Sequence, residues 1–222
     1  MAEYVTYKEA NPTKMYKIAG HSFSQIEIKH LSLAMIMIIL TIFAFQQKGL
    51  FLSSLTNIPQ VAIFFIIYFF TVGLGFLLHE LGHKFVAQKY GFISEFRADF
   101  TMLFVMFGIA LFSPFILLAP GAVMILGRPT VKQNGIISVA GPVVNLVLAI
   151  FFIILSLIFQ PTGIFGLITS LGIWINAFLG VFNMLPFWVL DGKKVLAWNK
   201  PIYFSVMGSL ILILIGSFIG FF

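Results

Sequence analysis

The sequence predicts an all-α polytopic membrane protein, with about five full transmembrane helices and one broken, re-entrant segment carrying a small β element. Composition carries the first half of that expectation. The chain of 222 residues is 60% hydrophobic and 9% charged, with 28 Phe and a mean hydropathy of +1.08. No soluble fold needs so much apolar surface. Apolar runs close to the ~20 residues that cross a bilayer recur along the chain. The second half comes from residues 101–126, which are apolar yet interrupted by Gly108, Ser113-Pro114 and Pro120-Gly121. Breakers of this kind are tolerated at membrane depth where the backbone is buried in protein or lines a wet cavity.

Taken in order, residues 1–30 mix acids, bases and Tyr and lack the apolar core and cleavage site of a signal peptide, so they read as a cytoplasmic leader. His21 and His30 fall in it as ordinary polar residues, neither having a helical partner at ligand spacing. The first span runs from Leu31 to about Gln46. A loop from Lys48 to Gln60 follows, and the second span runs from about Val61 to Tyr90. Within it Gly73 and Gly75 permit close approach of a neighbouring helix, and Lys84 and Lys89 are expected to snorkel to the nearer interface. Ser94 to Asp99 reads as a short polar loop, and Thr101–Leu126 as the broken element. Gly135–Phe159 is a clean span, Gln160 to Gly163 a turn, and Ile164 to about Val189 another span. Lys193 to Lys200 is a basic linker, and Pro201–Phe222 the last span, with a Gly216-x-x-x-Gly220 spacing suited to helix packing. Residues 31–222 form one intramembrane domain, with its core at 61–200.

Charge sets the expected topology. If the leader is cytoplasmic and residues 101–126 re-enter, twelve of the thirteen basic residues lie inside and only Lys48 lies outside, as the positive-inside rule favours. A single crossing there would put Arg128, Lys132, Lys193, Lys194, Lys200 and Asp191 on the other face. The net charge of +6 is therefore explained by membrane flanks, and its scatter argues against a nucleic-acid partner. With no Cys, there is neither a disulfide framework nor a thiolate metal site.

The chemistry sits at His79-Glu80-Leu81-Gly82-His83, which follows a run without charge from Val61 to Leu78. On a helix His79 and His83 lie one turn apart on one face, so both imidazoles reach one ion, and Glu80 is placed to deprotonate water there. Ionisable groups in hydrocarbon are costly and point to function. A catalytic zinc needs a third protein ligand and one open position. The metzincin pattern requires His at position 89, which is Lys89. The one Glu downstream, Glu95, lies too close in sequence to come from a separate helix. Asp99 and Asp191 are left. Asp99 belongs to a charged loop, whereas Asp191 ends an apolar span at the depth of the histidines, so Asp191 is favoured, with Asp99 the alternative.

Three motifs in order, H-E-x-x-H, Ala140-Gly141-Pro142-Val143-Val144-Asn145, and Asn183-x-x-Pro186…Leu190-Asp191-Gly192, resemble the site-2 protease family of intramembrane zinc metalloproteases over roughly residues 61–200. The resemblance implies one zinc held by His79, His83 and Asp191, with Glu80 as general base and acid. Asn183 matches the family's polar residue near the bound peptide, a candidate to orient substrate or stabilise the oxyanion. Asn145 is read as a helix-packing residue, with a substrate contact as the alternative. The chain departs from many members at Lys193-Lys194 after Asp-Gly and in the long apolar insertion Thr101–Leu118. It shows no PDZ-like or CBS-like module, so control is expected to come through partners or through trimming of the substrate beforehand.

The expected activity is hydrolysis of peptide bonds in single-span membrane proteins, in the cell membrane, with the N-terminus and the site toward the cytoplasm. Ala122–Leu126 is β-capable and offers either an edge for an extended substrate or a plain buried segment. Two other classes stay open: a metal-binding membrane transporter, and an inactive protease-like protein that binds membrane partners. Transport favours polar residues along a path through several spans, and loss of activity favours loss of Glu80 or of a ligand. A CAAX-type membrane protease is disfavoured by the lack of a downstream Glu ligand.

Overall fold

The computed structural model describes residues 14–47 and 55–220. Residues 1–13 of the expected leader, residues 48–54 of the loop around Lys48, and Phe221 and Phe222 lie outside the described residues. Among the described residues, five helices are long and apolar enough to cross a membrane, and the only sheets are two pairs of short strands.

The chain enters through a hairpin of β1 (Met15–Ile18) and β2 (His21–Ser24). Ala19 and Gly20, both at positive φ, form its two-residue turn. Ser24 then caps α1 (Gln25–Gln46), its hydroxyl accepting the Glu27 N–H at 3.1 Å. The helix thus begins ahead of the expected Leu31, and Glu27 and His30 belong to it rather than to a solvated leader. Both face inward, onto partners supplied by distant parts of the chain. The Lys84 Nζ donates to Glu27 Oε2 at 2.9 Å, and the Phe96 N–H donates to Glu27 Oε1 at 2.9 Å. His30 Nδ1 accepts the Ala98 N–H at 3.1 Å. Expected to snorkel, Lys84 is instead 1% exposed. Its ammonium also donates to Ser94 O at 2.7 Å and lies 4.5 Å from the centre of the Phe23 ring. A buried Lys persists because its charge is paired and its protons are used.

The second span is continuous from Ile58 to Lys89. It comprises α2 (Ile58–Tyr68), a π-helical turn (Phe69–Gly73) and α3 (Leu74–Lys89), with Asn57 capping its start. At 1.5 Å per residue its 32 residues measure about 48 Å, more than the ~30 Å hydrocarbon thickness, so it tilts or projects. The wider π turn shifts the helical register one turn or so before the histidines. Beyond it, Gly75 meets Asn176 and His79 meets Asn145.

The expected loop from Ser94 to Asp99 is instead mostly strand, within β3 (Ile93–Ala98). Its charges Glu95 and Arg97 pair with each other, while Ser94 and Phe96 are buried on the other face, an alternation that the charges mask. The next helix, α4 (Phe100–Phe112), is capped by Asp99, whose carboxylate accepts the Met102 N–H at 3.0 Å. After residues 113–120 the chain returns as β4 (Gly121–Leu126), antiparallel to β3 with Ala98 opposite Gly121 and Ile93 opposite Leu126. The excursion therefore comes back to the level at which it left. A helix of 13 residues, about 20 Å long, falls short of the hydrocarbon thickness in any case.

Three long helices complete the bundle. Thr130 and Gln133 form a capping box that starts α5 (Val131–Phe159), ahead of the expected Gly135. It is followed by α6 (Gly163–Asn183), which ends before the expected Val189. The expected basic linker is largely a short helix, α7 (Asp191–Trp198), and α8 (Lys200–Phe218) follows with Asn199 as its cap. One apolar core joins α1, α2, α3, β3, α4 and α6 through Ile38, Tyr68, Phe76, Phe96, Met106 and Ile175. A smaller one seats α7 and α8 through Met184, Val195 and Leu210. Ile38, Phe76 and Leu179 of the larger core line the same cavity as His79, His83 and Asp191.

Candidate metal centre and active site

His79 and His83 emerge from successive turns of α3 and are both buried. Asp191 arrives from the first turn of α7, where a carboxylate suits the helix N-terminus. The three donor atoms form a small triangle. His79 Nε2 and His83 Nε2 are 3.1 Å apart, His83 Nε2 lies 3.1 Å from Asp191 Oδ2, and His79 Nε2 lies 3.5 Å from the same oxygen. Tetrahedral bonds of 2.0–2.1 Å to zinc require donor separations of about 3.3 Å, so the donor set fits that ion. Asp99 caps α4 and is not among these residues, nor are His21 and His30. His21 Nδ1 instead pairs with Gln88 Oε1 at 2.9 Å.

Space for the ion is kept by Gly141 of α5. A Cβ there would come within 2.6 Å of His79 Nε2 and closer still to His83 Nε2. The A-G-P run thus owes its glycine to the two imidazoles. Behind them, His83 Nδ1 donates to Ile137 O at 2.8 Å and His79 Nδ1 lies 2.6 Å from Asn145 Oδ1. Such outer partners orient histidine ligands. Burial alone would raise the Asp191 carboxyl. The neighbouring imidazoles of His83 and His79 outweigh it and hold the group well below the ordinary carboxylate range. The Lys194 ammonium stands 3.8 Å from its other oxygen.

Glu80 occupies the wall of a cavity of about 140 Å³ that the two histidines, Asp191, Asn183 and β4 also line. Its Oε2 is buried without a partner among the described residues, which suits a group waiting for a proton donor. The Val123 backbone N–H faces its carboxylate. Strand geometry explains why. On β3, the Phe96 and Ala98 N–H groups and the Ser94 carbonyl turn away from β4 and are taken by Glu27, His30 and Lys84. Their partners across the ladder, Val123, Gly121 and Ile125, accordingly turn their own backbone groups away from β3 and toward the cavity. No second strand covers that edge among the described residues.

Asn183 lines the cavity, with its Nδ2 donating to Leu179 O of its own helix at 3.0 Å. Asn145 is fully buried behind His79 rather than on the cavity wall. Asn176, which no motif marks, bonds to Asn145 at 3.1 Å. Its signal in the sequence is a carboxamide in an apolar span, costly there unless partnered.

The family described as "Peptidase family M50" matches residues 64–170. A protein of Methanocaldococcus jannaschii provisionally named a zinc metalloprotease is 41% identical over 179 residues, covering 76% of this chain and 93% of the relative. The chain belongs to peptidase family M50. A second protein of the same organism, named a zinc metalloprotease, is 30% identical over 146 residues, 65% of this chain. The chain spans 36% of that longer relative. No solved structure matches at a significant level. Membership makes the chain a multi-pass zinc metalloprotease, and the triangle of His79, His83 and Asp191 is a site able to bind its metal.

Proposed function

We propose that this protein is an intramembrane zinc endopeptidase of the site-2 protease type, which cleaves single-span membrane proteins within the bilayer. One observation carries the reading. Two corners of the metal-sized triangle, His79 and His83, and the unpartnered Glu80 oxygen lie on a helix that is itself long and apolar enough to span a membrane. His79 and His83 supply Nε2 and Asp191 supplies Oδ2 as ligands. A zinc ion held there supplies a water of lowered pKa and a Lewis acid for the scissile carbonyl. Glu80 takes the proton of the attacking water on Oε2 and returns it to the leaving amine. Asn183 commits one amide proton to Leu179 O, leaving its second to donate to the developing oxyanion. A helical substrate hides its backbone, so it must unwind before attack. The free edge of β4 then offers hydrogen-bonding groups to the extended segment beside Glu80. The charge pattern favours a cell-membrane orientation with the N-terminus and the site toward the cytoplasm.

The test is paired. Purified protein is expected to hold about one zinc per chain, and Glu80→Gln to keep that zinc while abolishing cleavage of a single-span substrate. Cleavage by Glu80→Gln at the wild-type rate would refute the mechanism.

A further inference from the structure

We propose that Asn176, on α6, is a positioning residue for the metal centre: through Asn145 it fixes which nitrogen of His79 is offered to the metal. The proposal rests on the zinc reading above and concerns how the ligand is prepared.

Hydrogen-bond polarity is handed along a chain of buried groups, beginning at Gly172 O, a backbone carbonyl that can only accept. Asn176 Nδ2 donates to it at 2.9 Å, which leaves Asn176 Oδ1 as an acceptor. That oxygen takes Asn145 Nδ2 at 3.1 Å. The same Asn145 nitrogen lies 3.3 Å from Gly75 O, a second carbonyl that can only accept. Facing two acceptors, this side of the Asn145 amide must be its NH2 group. Its Oδ1 therefore points at His79 Nδ1, 2.6 Å away. An amide oxygen cannot donate, so His79 Nδ1 carries the proton, and Nε2 keeps its lone pair toward Asp191 and His83.

Both ligating histidines reach the same state by different routes. His83 Nδ1 donates straight to a backbone carbonyl, Ile137 O, at 2.8 Å. His79 has no such carbonyl and borrows the polarity of two through side-chain amides. Asn145 and Asn176 are both completely buried, where an amide held in the wrong sense is expensive. Gly75 makes the arrangement fit: a Cβ there would lie 2.7 Å from Asn176 Oδ1. The chain of amides joins α3, α5 and α6 at the metal.

Asn176 touches neither the cavity nor a ligand, so its effect should appear in how well the apo site accepts metal. The experiment uses the full chain in detergent micelles, stripped of metal and titrated with zinc against a competing chelator. Asn176→Leu is expected to weaken zinc binding about 10–100-fold, the usual cost of losing an outer partner. Asn176→Asp should restore it to within about threefold of wild type. A buried carboxylic acid stays protonated, donates its O–H to Gly172 O and accepts from Asn145 with its other oxygen. Thr169→Val, which removes a buried hydroxyl bonded only within α6, should leave zinc affinity unchanged. Nitrogen-15 spectra of histidine in the metal-free wild-type chain, recorded above neutral pH, should show His79 protonated at Nδ1.

Folded Asn176→Leu that binds zinc as tightly as wild type overturns the proposal, as does an Asp variant as weak as Leu. If Asn176→Leu does not fold, the wild-type spectrum decides, and a His79 protonated at Nε2 overturns it. A wild-type chain that binds no zinc at all would instead refute the underlying zinc reading.

Discussion

Breaking the buried pair between Glu27 and Lys84 should destabilise the protein far more than removing both charges. Lys84→Met leaves the Glu27 carboxylate 0% exposed and holding the Phe96 N–H alone, without its counter-charge. Removing one partner of a buried pair costs about 3–5 kcal/mol. Glu27→Gln strands the ammonium instead. Ser94 O at 2.7 Å and the Phe23 ring still face it, which puts that variant toward the lower end of the same ~3–5 kcal/mol range. If the two side chains acted independently, the double variant would lose about 6–10 kcal/mol, enough to unfold most domains. Acting as a pair, the double variant buries no charge. Met fills the space of the lysine stem, and the carboxamide introduced by Glu27→Gln still accepts from Phe96. Its cost should therefore fall below that of either single variant, at about 0–2 kcal/mol. The assay is denaturant unfolding in mixed micelles, followed by tryptophan fluorescence, for wild type, both single variants and the double. A double-variant loss equal to the sum of the singles within about 0.5 kcal/mol would refute the coupling.

Other outcomes follow from the site. Asp191→Asn removes the anionic ligand and should cost zinc binding at least about tenfold by chelator competition, since ligands bind as deprotonated donors. Asp99→Ala should leave zinc binding unchanged and cost about 1 kcal/mol of stability through the lost cap of α4, measured in the same unfolding assay. Gly141→Ala places a methyl group against both ligating nitrogens and should weaken zinc at least about tenfold by the same competition. Val123→Pro deletes the N–H that faces Glu80 at an open strand edge, a position where Pro is tolerated. It should keep the metal and lower kcat/KM for a single-span substrate about tenfold, roughly 1.4 kcal/mol of transition-state binding. Unchanged cleavage there would count against β4 as the docking edge.

What the sequence reveals and what it hides divide along one physical line. A helix places residues four apart on one face wherever it lies, so His79 and His83 are legible as a pair. Scarcity of carboxylates in an apolar chain narrows the third position to Asp191 or Asp99, and the structure brings Asp191 within 3.1 Å of His83. The breakers between Gly108 and Gly121 announce an excursion that turns back, and the β3–β4 ladder is that return. Illegible features are those whose polar residues are satisfied at long range. Glu27 and Lys84 look like solvated charges because each is read against its neighbours, while their partners lie far along the chain. Glu95 and Arg97 mark a loop by composition, and only the buried Ser94 and Phe96 between them make it a strand. Asn176 is the clearest case. Its role depends on Asn145, on Gly172 O of its own helix and on the absence of a side chain at Gly75, a conjunction no local pattern encodes. For Asn176 a polar group is stranded in an apolar stretch, and its cost alone says that a partner exists. The motif residues lie at the metal, and the polar groups without a motif set the frame that holds them there. For Glu27 and Lys84 that frame is the outer edge of β3. By occupying it, they leave the edge of β4 that faces Glu80 as the open one.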